Sequence, residues 1–274
     1  MIAIGIPDSL FAEDRDSLRG KTVKTGWIAR SCSIFGIERI YIYRDMSGNF
    51  EKDYETARLI LEYMETPQYL RKRLFPRRPD LEFAGLLPPL RTLPHMVREE
   101  PKIEEIREAV LVFQNGQLKA DIGSRELAYF SGTGHEGQRM RVKVISLKPL
   151  QVIQAKEPKD EYWGYEVRRA PSLSRFLKSA DFDLIILTSR LGKDVSQIWQ
   201  EFCDRCGKAS RILICFGSPE LGIHELLRQD LSGKPEDFPK SVVLNMFPSQ
   251  KVETVRLDEA ILGTLSILNI AIRL

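Results

Sequence analysis

Strand-like and helix-like segments alternate at both ends of this chain and give way to closely spaced short strands in its middle. Few folds accept that pattern. Parallel strands need a helical crossover between them, so alternation builds a parallel α/β sheet. A run of short strands broken by turns builds a barrel or a sandwich. Residues 2–6 read as a strand. Residues 16–35 read as a helix with Leu18, Val23, Trp27 and Ile34 on one face, ended by Gly36. Residues 38–43, ERIYIY, read as a second strand. Residues 54–64 read as a second helix with the apolar stripe Ala57, Ile60, Leu61 and Met64.

The middle differs. Residues 86–94, LLPPLRTLP, are proline-rich and non-helical. Strand signals then dominate to residue 167: AVLVF, LKADIG, RMRVKVISL, LQVIQA and YWGYEVR. Asn115-Gly116 between two of them signals a hairpin. After Pro171 the alternation resumes as SLSRFLKSA (helix), DLIILTSRLG (strand and loop), SQIWQEFCDRC (helix) and RILICFG (strand). The last helix carries Leu257, Ile261, Leu265, Leu268 and Ile272, a broad core-facing stripe. The expected organisation is one discontinuous α/β domain, residues 1–90 and 165–274, interrupted by a small β-barrel at residues 91–164.

With 274 residues and 43% apolar content, a substantial core is available. The net charge of +3 does not by itself call for a polyanion. Its distribution says more: residues 69–79, YLRKRLFPRRP, hold the basic Arg71, Lys72, Arg73, Arg77 and Arg78 beside two aromatics. That mixture suits phosphate contact with base stacking, and equally suits a solvated helix end. The N-terminal apolar run is broken by Asp8 and lacks a basic flank, and no apolar stretch reaches the roughly 18 residues of a membrane span, so a cytoplasmic protein without a membrane partner is expected. Cys203 and Cys206 form a CxxC near the end of an amphipathic helix, with no second pair to complete a zinc site. They read as buried thiols. His95, His135 and His224 are scattered, so no metal is expected.

The most telling local signal is residues 211–223, RILICFGSPELGI: an apolar strand, a Gly217-Ser218-Pro219 turn, and a helix start. Small ligands bind at such turns along the edge of a parallel sheet. A similar turn follows Val242-Val243-Leu244, and a third loop is expected at residues 188–192, TSRLG. The three converge at one sheet edge. They offer backbone amides and small residues, without a GxxxxGK[ST] cradle or GxGxxG, so they suit an adenosine better than a triphosphate.

In four segments the chain resembles the SPOUT class of RNA methyltransferases, in the archaeal and eukaryotic branch with an inserted OB-like domain. These are residues 25–37, TGWIARSCSIFGI; residues 69–90, with YLRKRLFPRRPDLEFAGLLPPL; residues 211–223, with the strand followed by G-x-x-x-G; and residues 245–260, NMFPSQKVETVRLDEA. The resemblance implies a SPOUT-type knotted parallel sheet with helices on both faces and an OB-like insert. It implies S-adenosylmethionine (SAM) as methyl donor, RNA as substrate, and a homodimer. Carried over by position, the cofactor contacts are Thr188, Ser189, Arg190, Phe216, Gly217, Ser218, Glu220, Gly222, Ile223, Leu244, Asn245, Met246, Thr254 and Val255. Arg190 and Glu220 read equally well as structural, Glu220 as a cap of the following helix.

Arg30 and Arg256 are the candidate catalytic residues. Both stay protonated, so neither is a general base. RNA contacts are expected from Arg71, Lys72, Arg73, Arg77 and Arg78, and from Arg139 and Arg141 in the insert, where Tyr129, Phe130, Lys143 and Trp163 are further candidates. The ribose-methylating branch has Asn where Thr25 stands, and Ser and Asn where Thr254 and Arg256 stand. That departure favours a base nitrogen, uridine N3, in ribosomal or other structured RNA. The alternatives are a ribose 2′-O methyltransferase, a non-catalytic RNA-binding or ribosome-assembly protein on the same fold, and a module for another adenine ligand.

Overall fold

A computed structural model describes residues 1–12, 17–156, 158, 161–230 and 233–273. In chain order the elements are β1 (Ile2–Pro7), α1 (Leu18–Ile34), β2 (Arg39–Arg44), α2 (Glu51–Glu65), α3 (Gln68–Leu74), β3 (Ile106–Gln114), β4 (Gln117–Asp121), β5 (Ala128–Ser131), β6 (Arg139–Leu147), β7 (Leu150–Gln154), β8 (Glu166–Ser172), α4 (Leu173–Ser179), β9 (Leu184–Asp194), α5 (Trp199–Lys208), β10 (Ile212–Cys215), α6 (Ile223–Arg228), β11 (Ser241–Asn245) and α7 (Leu257–Ala271). They form two compact units. The first comprises Met1–Glu62, Phe83–Pro88 and Tyr165–Leu274, the second Tyr63–Glu82 and Pro89–Gly164.

In the first unit six strands make one parallel sheet, in the order β11-β9-β10-β1-β2-β8. Side chains alternate between its faces. Ala3, Tyr43, Ile185, Leu187, Leu213 and Cys215 join α4 and α6 residues in one core cluster. Their neighbours Ile4, Ile6, Ile40, Ile42, Ile186 and Ile214 are equally buried, as a sheet covered on both faces requires. Each such side chain contributes roughly 1.5–3 kcal/mol of burial. All four cysteines are free and buried, and burial pushes the Cys206 thiol up to about 12.

Helix α1 starts at Ser17, whose hydroxyl accepts from the Gly20 amide at 3.0 Å, and ends at Gly36, whose φ of 67° suits glycine. The expected start at Asp16 lies outside the described residues. Of the residues grouped on one face, Val23, Trp27 and Ile34 are exposed, Trp27 by 55%. The buried residues are Thr22, Lys24, Thr25, Gly26, Ile28, Ala29, Ser31 and Cys32. Small side chains let neighbours approach closely there, and the hydroxyls of Thr22, Thr25 and Ser31 donate to the carbonyls of Leu18, Lys21 and Trp27 within the helix. Of the stripe on α7, Leu257, Ile261, Leu265 and Leu268 are buried, while Ile272 is 36% exposed. Helix α7 packs on both α1 and α5.

The second unit is built on a closed five-stranded barrel, β3-β4-β5-β7-β6. Asn115-Gly116 turns β3 into β4, with Gln114 opposite Gln117. Two strand assignments change. The YWGYEVR signal is not a barrel strand: it leads into β8, the edge strand beside β2. The barrel's fifth strand is instead β5, AYFS, which pairs antiparallel with β4 and parallel with β7. At four residues it is too short to show the alternation by which strands are read. Ala109, Leu111, Ala120, Ile122, Ala128, Met140, Val142, Val144 and Val152 fill the interior.

Candidate active site

The C-terminal ends of β9, β10 and β11 lie at one edge of the sheet, and a cavity of about 460 Å³ opens there. Ligand sites of small molecules have this size. Its walls come from the three chain segments read as loops, with one difference. Residues 188–192 do not end β9. Leu187 pairs with Val243 and Lys193 with the next residue, Leu244, so residues 188–192 bulge out between adjacent rungs and the strand then resumes. Gly192 makes the return possible: a Cβ there would sit 2.7 Å from the backbone N and C of Leu244.

Thr188 Oγ1 donates to the Cys215 carbonyl at 3.1 Å, fastening the bulge to β10. Phe216 leads out of β10 almost fully buried. Its N–H donates to the Gly5 carbonyl at 3.0 Å, and its own carbonyl accepts from the buried Tyr43 hydroxyl. The following turn is held by Ser218, whose N–H donates to the Leu221 carbonyl at 2.8 Å and whose Oγ accepts from the Leu221 and Glu220 amides at 2.8 and 3.3 Å. At Gly217 a Cβ would approach the Leu221 carbonyl to 3.0 Å. Gly222, not Glu220, is the N-cap residue of α6, so Glu220 stands in the wall rather than on the helix end.

The third wall is residues 245–257. Asn245 Nδ2 donates to Asp194 at 3.0 Å, and its Oδ1 accepts from the Phe247 amide at 3.0 Å. Arg190 Nη1 donates to the Glu253 carbonyl at 3.2 Å. The Arg256 amide donates to Glu259 at 2.9 Å at the start of α7.

The cavity thus gathers Thr188, Ser189, Arg190, Phe216, Gly217, Ser218, Glu220, Gly222, Asn245, Met246, Thr254, Val255 and Arg256. Ile223 and Leu244 lie fully buried outside its lining. Arg30 is also outside it, half-buried on the stripe of α1 that carries Trp27 and Ile34. Thr264 escaped sequence reasoning. It lines the cavity from α7, and its buried hydroxyl has no hydrogen-bond partner among the described residues. The hydroxyl is sealed from the cavity, since Thr264 is 0% exposed. The sequence signal was a hydroxyl two turns after Leu257 on an otherwise apolar helix face.

Charge in the lining is mixed, two arginines against three glutamates. Arg190 and Arg256 stand with Glu220, Glu225 and Glu253, which does not neutralise a triphosphate. Phe216, Met246 and Val255 add apolar walls to the lining. Among the described residues no cluster of three His, Cys, Asp or Glu side chains could hold a metal.

In the second unit most of the nominated basic residues have partners. Arg71 donates to the carbonyls of Thr66 and Met64 and stacks on Tyr63, and Arg73 is paired with Asp121. Arg78 meets Asp80 at 3.1 Å. Arg139 bridges Glu65 and Glu108, and Arg141 lies 3.2 Å from Glu108. Lys72 and Arg77 are exposed.

Residues 1–268 match the model of a protein family described as "Putative RNA methyltransferase". An uncharacterized protein of Halobacterium salinarum is 30% identical over 97% of both chains. The human 28S rRNA (uridine-N(3))-methyltransferase is 29% identical over 97% of this chain and 77% of its own. The Drosophila melanogaster protein of the same description is 30% identical over 97% of this chain and 61% of its own.

Proposed function

This chain belongs to the RNA methyltransferase family whose model spans it, and from that membership we propose that it methylates N3 of a uridine in ribosomal RNA, with SAM as donor. The observation that carries the reading is the cavity of about 460 Å³ at the ends of β9, β10 and β11, with apolar walls and two arginines against three glutamates. Phe216, Met246 and Val255 would enclose the adenine and ribose, and the turn at residues 217–222 would present backbone polar groups to them. Bound there, SAM supplies an electrophilic methyl carbon on a sulfonium.

Base rather than ribose is favoured by Thr25. It replaces the Asn of the ribose-methylating branch, is fully buried, and its hydroxyl donates to the Lys21 carbonyl at 2.8 Å. N3 of uridine must lose its proton before it attacks. A guanidinium beside the ring stabilises the anion that results. Arg256, on the cavity wall, and Arg30 are the cations proposed for that task.

Arg30 does not line the cavity of its own chain, and it shares an exposed stripe with Val23, Trp27 and Ile34. We therefore take the protein to be a homodimer in which α1 meets the partner subunit. Leu262 and Ile270, exposed on α7, extend the apolar surface available for it. The class to which the sequence motifs point carries a trefoil knot. The pairing of the last strand, β11, outside β9 is the order such a threading needs.

Transfer of tritium from methyl-labelled SAM into ribosomal RNA, followed by mass identification of the nucleoside, tests the reaction. 3-Methyluridine is expected. A 2′-O-methylated nucleoside replaces the base reading, and no incorporation alongside intact RNA binding replaces the enzyme with a binding protein. Calorimetry with SAM and with ATP tests the pocket, and heat with ATP alone would defeat the SAM assignment.

A further inference from the structure

The chain has three histidines, and two of them use a ring nitrogen in the fold. His95 Nε2 lies 2.9 Å from the Glu65 carbonyl, and His135 Nδ1 lies 3.0 Å from the Glu136 carbonyl. His224 differs. Its side chain is half-buried, yet neither ring nitrogen meets a hydrogen-bond partner among the described residues.

Its place follows from the short helix that carries it. In α6, Ile223, Leu226 and Leu227 enter the core cluster shared with α4 and the sheet. At 3.6 residues per turn His224 is left off that core face, and it lines the cavity at the ends of β9, β10 and β11. Helix α4 and strand β9 pack on α6. On α4, Arg175 is paired with Asp230 and Lys178 is exposed. On β9, Lys193 is exposed, Asp194 accepts from Asn245, and Arg190 donates to the Glu253 carbonyl. None of these groups claims the imidazole.

We propose that His224 is the general base of the reaction and takes the proton from N3 of the target uridine. This rests on the reading of the chain as a SAM-dependent uridine N3 methyltransferase. It supplies the group that reading lacks, since Arg30 and Arg256 stay protonated. Histidine is the side chain whose ordinary titration range brackets neutral pH, which suits it to accept a proton there. The other ionisable acceptors in the lining are Glu220, Glu225 and Glu253, all exposed. Glu225 is folded over its own helix start, its Oε2 2.8 Å from where a Cβ on Gly222 would stand. A carboxylate also holds the proton of an imide more weakly than an imidazole does. The N3 proton passes to the ring nitrogen that carries the lone pair. The electron pair left on N3, stabilised by the Arg256 guanidinium, bonds the methyl carbon. The bond from that carbon to sulfur breaks with its electrons staying on sulfur, now a neutral thioether. The imidazolium then gives its proton to water.

The test uses the full chain and ribosomal RNA. His224→Gln and His224→Ala are compared with wild type in steady-state methyl transfer. Binding of S-adenosylhomocysteine is read by calorimetry, which needs no turnover. Loss of the base is expected to lower kcat about 100-fold, with KM for SAM and affinity for S-adenosylhomocysteine within roughly threefold of wild type. Wild-type kcat should fall as acid protonates the imidazole, and both variants should lack that limb of the pH profile. Free imidazole should restore turnover to His224→Ala in proportion to its unprotonated fraction. His224 is outside the core cluster, so unchanged melting curves are expected for both variants.

If wild type methylates the RNA and both variants turn over as fast, the base is another group while the methyltransferase reading stands. If affinity for S-adenosylhomocysteine falls in step with kcat, His224 is a cofactor contact and not the base. If kcat falls with neither imidazole rescue nor a changed pH profile, His224 only shapes the wall and the assignment is overturned. If wild type transfers no methyl group to RNA, the enzymatic reading itself falls and takes this role with it.

Discussion

Arg190 reaches from the bulge of β9 to the Glu253 carbonyl, 3.2 Å away, joining the first wall of the cavity to the third. The guanidinium is therefore expected to act on a bound ligand through the shape of the loop at residues 250–255. Arg190→Ala is expected to raise the KM for SAM about tenfold with a smaller change in kcat, the pattern of lost uniform binding. Steady-state kinetics at varied SAM concentration checks it. A fall in kcat at unchanged KM would instead place Arg190 at the reacting atoms.

Gly192→Ala puts a methyl group against the backbone of Leu244, which no side-chain rotation relieves. The cost is expected to be roughly 1–3 kcal/mol of stability, as for overpacking elsewhere. Urea denaturation measures it. Affinity for SAM should fall in parallel, because the bulge carries Thr188, Ser189 and Arg190.

Trp27→Glu places a charge on the exposed stripe of α1. The single-chain fold has no need of that ring, since it is 55% exposed. Sedimentation should show the variant as a monomer with native secondary structure, and methyl transfer should fall at least tenfold. A variant that stays dimeric and active would remove α1 from the interface.

Asp8 lies buried at the end of β1. Burial, reinforced by the charge of Asp45, pushes its pKa from 3.8 up to about 6, against the lowering effect of the Asp45 amide that donates to it. The folded state then binds the proton more tightly than the unfolded state. Stability is greatest below pH 3.8 as far as this group is concerned, falls as pH rises through the window from 3.8 to 6, and stays reduced above it. Asp8→Asn keeps an acceptor for the Asp45 amide and removes the charge. At pH 7 the variant is expected to be more stable by roughly 2 kcal/mol, and at pH 4 by little. Thermal melts at the two pH values decide it.

The sheet was legible because its strands are short apolar runs separated by helices with clear stops, as at Gly36. The cavity was legible because Gly217, Gly222 and Asn245 mark backbone that must turn sharply after a buried strand. What misled was periodicity read as burial. On α1 Val23, Trp27 and Ile34 face outward, while hydroxyl and small residues face in beside Ile28, a division that local sequence cannot distinguish from an ordinary amphipathic helix. For Arg139 and Arg141 the outward direction was legible and the partners were not. Their spacing shows that they leave the barrel on one side, but the acids that meet them, Glu65 and Glu108, are remote in sequence. Thr264 was missed because one hydroxyl among leucines and isoleucines becomes informative only when its lack of a partner is seen.

Strands β2 and β8 are sheet neighbours, yet the whole second unit is strung between them. During synthesis β2 leaves the ribosome long before β8. Closing an unstructured loop costs more as it lengthens, by about 0.6 kcal/mol for each doubling. The barrel is assembled largely from hairpins such as β3–β4 and β6–β7, whose partners are close in sequence and pair fast. A barrel already folded when β8 emerges turns a long closure into a short one. On this ground the hairpins of the insert are expected to form before the β2–β8 edge, with β9, β10 and β11, which follow in the chain, completing the cavity last.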